Sequence, residues 1–241
     1  MSVLELTLKI GCSNNCLCCP QDKLIKTYKD DKKEMSYGDF LKILNNVPKY
    51  VDIFFSGFCE IYLNELTSYM LQEVKKHGHN ITIYTTLVGA TERDIQVLKE
   101  INPRILVIHK PDDNYFKYNI AKWTSIYNLV EKYKIKHTVT SLDHSNTHSR
   151  AGNNGDSGIY MTGKIGCSVG ENQRLNNNIV LPNGDVYLCC MDYGLKHKLG
   201  NLITQTWNEI HNGDAINKLR DLMNQNDSDI LCRKCVCSQP I

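Results

Sequence analysis

Four of the eight residues between Gly11 and Pro20 are cysteine, and Cys12, Cys16 and Cys19 fall in a C-x3-C-x2-C spacing. Three thiolates on one short loop can hold three irons of a cubane iron-sulfur cluster and leave the fourth iron without a protein ligand. A structural zinc site closes with four ligands, and Cys18, adjacent to Cys19, is awkwardly placed to supply the fourth to one ion. The loop follows a segment in which Leu4, Leu6, Leu8 and Ile10 alternate with Glu5, Thr7 and Lys9. That is the period of a β-strand. The first expectation is a redox-active cluster with one open iron at the end of a strand.

The other cysteines are also grouped: Cys59 alone, then Cys167, Cys189 and Cys190, then Cys232, Cys235 and Cys237. The start, MSVLELTLKI, lacks the charged beginning and long apolar stretch of a secretory signal, and no run of 18 apolar residues occurs. A cytoplasmic chain is expected, with no membrane partner. In a reducing compartment eleven cysteines are better candidates for cluster or metal ligands than for disulfides. A formal net charge of +2 leaves no nucleic-acid footprint.

Strand and helix alternate along the first 143 residues. Ser36 caps a predicted helix over 37–47, Val51 to Phe55 reads as a strand, and a helix near 64–77 stops at Gly78. A strand at 81–85 precedes a helix opened by Thr91 and Asp94 as a capping box. Strands at 105–108 and 137–141 flank a helix near 121–133. The pattern predicts an α/β fold, a parallel sheet with helices outside it, too short for eight units and therefore an open, partial (β/α) barrel. Ligands then bind at the carboxyl ends of the strands, where the cysteine loop, Gly57 and Thr86 lie. After residue 143 the pattern changes to a Gly- and Asn-rich loop, 144–158. A hairpin around Pro182-Asn183-Gly184-Asp185 and helices near 205–211 and 214–225 follow. Two domains are expected, 1–150 and 151–241.

With these residues in view, the sequence resembles the radical S-adenosylmethionine superfamily. The resemblance implies a [4Fe-4S] cluster on Cys12, Cys16 and Cys19, with the amino and carboxylate groups of S-adenosyl-L-methionine on the open iron. Reductive cleavage would then give a 5'-deoxyadenosyl radical. FFSGFCEI at 54–61 is similar to the family's Gly-x-Gly-Glu-Pro segment, so Gly57, Cys59 and Glu60 are expected at the methionyl group. Cys59 stands for the second glycine, Ile61 for the proline, and Cys18 for the aromatic residue usual beside adenine. Thr85, at the end of the third strand, and His109, near the end of the fourth, are further expected contacts. A buried thiol at Cys59, a solvated acid at Glu60 and a structural histidine at 109 are the plainer readings.

Cys167, Cys189, Cys232 and Cys235 could close around a tetrahedral zinc ion or, equally, around a second cubane. The surrounding pattern resembles the twitch module, the short form of the SPASM module, which implies a second [4Fe-4S] cluster on these four thiols. Cys190 and Cys237 are then extras.

Much of the chain is also similar to the 2-deoxy-scyllo-inosamine dehydrogenases, radical enzymes that oxidise an aminocyclitol. SLDHSNTHSR at 141–150 carries part of that similarity. It implies a small-molecule substrate, a carbinol oxidised to a ketone, and a flavodoxin- or ferredoxin-like electron donor. Arg150 is expected near substrate or the carboxylate of S-adenosylmethionine, with Asp143 and His144 shaping the same region. Arginine is a poor proton acceptor, so its role is orienting; a surface ion pair is the plainer reading. Epimerisation, cross-linking or rearrangement of a peptide or nucleotide is the competing chemistry, and a cluster-bearing module without radical chemistry the competing class.

Overall fold

The computed structural model describes residues 1–14, 16, 19–110, 118–141 and 149–241. Five parallel strands come from the amino-terminal half: β1 (Val3–Leu6), β2 (Asp52–Phe55), β3 (Ile81–Thr85), β4 (Ile105–Lys110) and β5 (Thr138–Ser141). They alternate with α1 (Gln21–Thr27), α2 (Tyr37–Asn45), α3 (Thr67–His77), α4 (Glu92–Ile101) and α5 (Ile120–Lys132). The carboxyl-terminal part supplies β6 (Ile165–Cys167), β7 (Asn177–Val180), β8 (Asp185–Tyr187), β9 (Lys198–Asn201), α6 (Trp207–Asn212), α7 (Asp214–Asn224) and β10 (Ser238–Pro240).

The strands form one open sheet in the order β5-β4-β3-β2-β1-β7-β8-β9, and β6 pairs with β10 apart from it. β7 joins β1 in parallel, Glu5 opposite Ile179, so the later hairpin continues the first sheet instead of standing free. Main-chain groups of β1 that would otherwise form an unpaired edge are thereby covered.

Several boundaries follow from single side chains. Ser36 accepts from Asp39 N at the start of α2, and Thr91 and Asp94 form the anticipated capping box on α4. Gly78 closes α3 at φ 81°. The helix expected from residue 64 begins at Thr67, because Asn64 is committed elsewhere. Its amide donates to Leu8 O and Met35 O, and its oxygen accepts from Leu66 N. Sheet pairing of β1 stops at Leu6 although the alternation runs to Ile10; Met35 N then donates to Leu8 O, and Ile10 N to Lys33 O. α1 was not anticipated: Leu24 is its single buried aliphatic residue, too little for a periodic signal.

Successive residues on a strand face opposite ways. Leu4, Leu6, Ile53, Phe55, Ile83 and Ile108 join the main core with apolar residues of the helices. Glu5, Phe54, Tyr84 and His109, on the other parity, line a cavity. The polar parity of β1 thus faces this cavity, and Glu5 is only 8% exposed. Among the described residues no helix is long and apolar enough to cross a membrane.

Candidate functional site

The cavity, of about 380 Å³, lies at the carboxyl ends of β1 to β4 and is lined by Cys12, Cys16 and Cys19 together with Gly57, Glu60 and Thr85. Cys16 and Cys19 also line an outward cleft with Lys23 and Lys26, so the cysteine loop stands between the cavity and the surface. Cys12 Sγ accepts from Glu60 N at 3.4 Å, and burial pushes its thiol pKa up. Cys19 Sγ lies 3.5 Å from Tyr193 Oη and 3.8 Å from Gln21 Nε2. That same Gln21 amide donates to Phe58 O, tying the cysteine loop to the turn after β2.

The turn needs glycine at its first position. Gly57 has φ 54°, and a Cβ there would stand 2.3 Å from Leu6 O and 2.7 Å from Thr7 Oγ1. Phe58 N donates to that Thr7 hydroxyl at 3.1 Å, so the turn sits directly on the end of β1. Glu60 is buried, and burial raises its pKa. A carboxylate offers about four acceptor positions. All are met here, by Tyr62 N and Thr85 Oγ1 on one oxygen and Thr86 N and Thr86 Oγ1 on the other. Glu60 and Thr85 thereby fasten the β2 turn to the end of β3, and both line the cavity. Cys59 packs against the main core, and burial pushes its thiol to about 12. Cys18 lies outside the described residues, as do Asp143 and His144.

Arg150 and His109 both line the cavity. Burial and the nearby Arg150 charge lower the His109 pKa, favouring its neutral ring. Arg150 and Ala151 occupy the left-handed region, φ 50° and 55°, followed by Gly152 at 80°. Asn153 closes this turn: its side-chain amide donates to Arg150 O at 2.6 Å and Met191 O at 2.7 Å. Left-handed backbone at a non-glycine residue costs roughly 1–2 kcal/mol, and such strain concentrates at functional sites.

Sequence reasoning missed Glu5 and Tyr193, which line the main cavity. Glu5 accepts from Ser56 Oγ at 2.9 Å, and burial raises its pKa against the lowering by neighbouring side chains and Arg150. Its position opposite in parity to Leu4 and Leu6 was the available signal. Tyr193, tilted against Phe58 with ring centroids 4.4 Å apart, carried none.

The second set gathers as well. Cys167, Cys189, Cys232 and Cys235, with Cys190 and Cys237, line an apolar space of about 90 Å³. Cys189 is close to Cys232 and Cys235, and burial raises its thiol well above the ordinary value; burial likewise lifts Cys235, to about 11. No disulfide joins these residues. Among the described residues no three His, Cys, Asp or Glu side chains converge on a single ion. Arg233, fully buried between Cys232 and Cys235, donates to Met161 O, Gly163 O, Leu222 O, Gln225 O and Ser228 Oγ. It pins the ligand-bearing turn to α7 and to the segment before β6.

Residues 167–236 match the SPASM family, described as an iron-sulfur cluster-binding domain. No curated protein matches the chain by sequence. Among solved structures it is similar to BtrN in complex with AdoMet and 2-DOIA, at 19% identity and TM-score 0.70, over 94% of this chain and 88% of that one. It is also similar to anSMEcpe with bound AdoMet, at 14% identity and TM-score 0.61, over 97% of this chain and 86% of that one. The chain therefore shares the open α/β fold of these AdoMet-bound structures, and its residues 167–236 match the SPASM iron-sulfur cluster-binding family.

Proposed function

We propose that the chain is a cytoplasmic radical S-adenosylmethionine oxidoreductase that removes hydrogen from a small sugar-like or cyclitol alcohol and oxidises the carbinol to a ketone. The observation that carries this reading is the gathering of Cys12, Cys16 and Cys19 on one cavity with Arg150, His109 and Glu5. The residues fit the implied groups. Three thiols and the Gly57 turn, which no side chain could fill, suit a [4Fe-4S] cluster and the methionyl end of S-adenosylmethionine. Cys167, Cys189, Cys232 and Cys235 would hold a second [4Fe-4S] cluster, in the unit taken as 151–241 beside a barrel unit of 1–150. When bound, the first cluster with S-adenosylmethionine supplies a carbon-centred radical able to abstract hydrogen from an unactivated carbon.

The chain's own residues do the rest. Arg150, permanently charged, orients a substrate hydroxyl or carboxylate and does not take its proton. Glu5 is the cavity carboxylate whose acceptors are not all met by main-chain and threonine donors, and it is placed to receive the hydroxyl proton. His109 stays neutral. A flavodoxin- or ferredoxin-like donor would deliver electrons through the cleft at Cys16 and Cys19. Fold likeness to BtrN in complex with AdoMet and 2-DOIA supports a compact polar substrate.

Anaerobic reconstitution with S-adenosylmethionine and a strong reductant tests the reading. Formation of 5'-deoxyadenosine, with deuterium transferred from a labelled cyclitol and ketone produced, is expected. An intact cluster with bound S-adenosylmethionine and no 5'-deoxyadenosine would overturn it.

A further inference from the structure

Tyr193 belongs to the part of the chain that matches the SPASM family, yet its side chain reaches the first cysteine loop. The residue is 4% exposed, and its ring lies tilted against Phe58. A buried phenol hydroxyl needs a hydrogen-bond partner. Among the described residues that partner is Cys19 Sγ, at 3.5 Å. A thiolate that ligates iron carries no proton, so in the loaded site the hydroxyl donates and the sulfur accepts. Gln21 Nε2, 3.8 Å from the same sulfur, also donates to Phe58 O at 2.5 Å and is the weaker donor to sulfur. The backbone that carries Tyr193 is well fixed. Asp192 N donates to Cys189 O at 3.0 Å, the Asp192 carboxylate accepts from Lys196 N at 3.0 Å and His197 N at 2.8 Å, and Met191 O accepts from Asn153 Nδ2 at 2.7 Å. A turn that starts at one of the expected auxiliary ligands thus delivers a hydroxyl to a ligand of the first site.

We infer that Tyr193 is a positioning residue acting through Cys19: its O–H···S hydrogen bond makes a cluster on Cys12, Cys16 and Cys19 easier to reduce, so the SPASM-matching segment sets how readily the radical-forming site accepts its electron. The inference rests on the proposed function's assignment of those three cysteines as cluster ligands. On reduction one electron arrives from a flavodoxin- or ferredoxin-type donor, no covalent bond forms or breaks, and the proton stays on Tyr193 Oη. The reduced site holds one more negative charge over its irons and sulfurs. A hydrogen bond to sulfur stabilises that state more than the oxidised one, and the potential rises.

The test needs no identified substrate. Anaerobically reconstituted full-length protein is titrated with a low-potential reductant, and the electron paramagnetic resonance signal that added S-adenosylmethionine alters is followed, since the site with an open iron is the one that responds to it. Tyr193→Phe, which keeps the ring against Phe58, should lower the midpoint potential of this signal while iron content and the second signal stay as in the unaltered chain. A ring-fluorinated tyrosine incorporated at 193 is a stronger donor and should move the midpoint upward, a direction that loss of packing does not give. A midpoint unmoved or raised in Tyr193→Phe, or unmoved or lowered with fluorotyrosine, overturns the inference. Should the phenylalanine variant assemble no cluster, the fluorotyrosine result decides alone. No cluster in the unaltered chain, or no signal that responds to S-adenosylmethionine, sinks the proposed function instead.

Discussion

Replacing Gly57 by alanine should unfold the site from its centre. The residue has φ 54°, a conformation that costs a side-chain-bearing residue roughly 1–2 kcal/mol. The new Cβ would stand 2.3 Å from Leu6 O and 2.7 Å from Leu6 C, both main-chain atoms of β1 that no rotamer change can move aside. Overpacking of this kind adds about 1–3 kcal/mol. The total destabilisation expected is about 2–5 kcal/mol, at about 2–4 °C of melting temperature per kcal/mol for a chain of this size. Displacing the turn also loosens Phe58 N from Thr7 Oγ1 and Glu60 N from Cys12 Sγ, so S-adenosylmethionine binding should fall with stability. Gly38, in α2 with nothing within 4 Å of its would-be Cβ, is the control. There the same change should stabilise the chain by about 0.5–1 kcal/mol. Denaturant melts of the reconstituted variants, with calorimetric titration of S-adenosylmethionine, measure both. Gly57→Ala within about 0.5 kcal/mol of the parent, or losing no more than Gly38→Ala, would refute the reasoning.

Glu60→Gln replaces half of a fully met carboxylate with an amide that cannot accept, leaving donors among Thr85 and Thr86 unpaired at about 1–3 kcal/mol each. Calorimetry should find weaker S-adenosylmethionine binding although the cluster absorbance is retained. Arg233→Met should cost at least about 3 kcal/mol, because four main-chain carbonyls and Ser228 lose a charged donor together. Arg233→Lys should not rescue it, and a small shift in denaturant midpoint would argue against the pinning role. His79 is buried, and its pKa is lowered below 6.5, first by burial and then by His77 and Lys49. The unfolded chain therefore binds the extra proton more readily, so its stabilising contribution is complete above pH 6.5 and is lost as pH falls through the window below it. His79→Asn should flatten the slope of unfolding midpoint between about pH 7 and pH 5.

Legibility in the sequence tracked how local the physical cause was. The cap at Ser36, the capping box at Thr91 and Asp94, the stop at Gly78 and the hairpin at Gly184 each depend on a few neighbouring residues, and each stands where it was expected. α1 was not legible because its order comes from Leu24 meeting a second apolar cluster that contains Phe58 and Tyr193.

By itself the sequence determined the α/β alternation, the C-x3-C-x2-C loop after the first strand, and a second group of thiols, because periodicity, turns and ligand spacing are written in short stretches. Only the tertiary structure decided that β7 closes on β1, that the polar parity of β1 encloses Glu5, and that Glu60 is spoken for by Thr85 and Thr86. Those outcomes depend on contacts between residues far apart in the chain, and a one-residue step along an extended backbone reverses the face to which a side chain points.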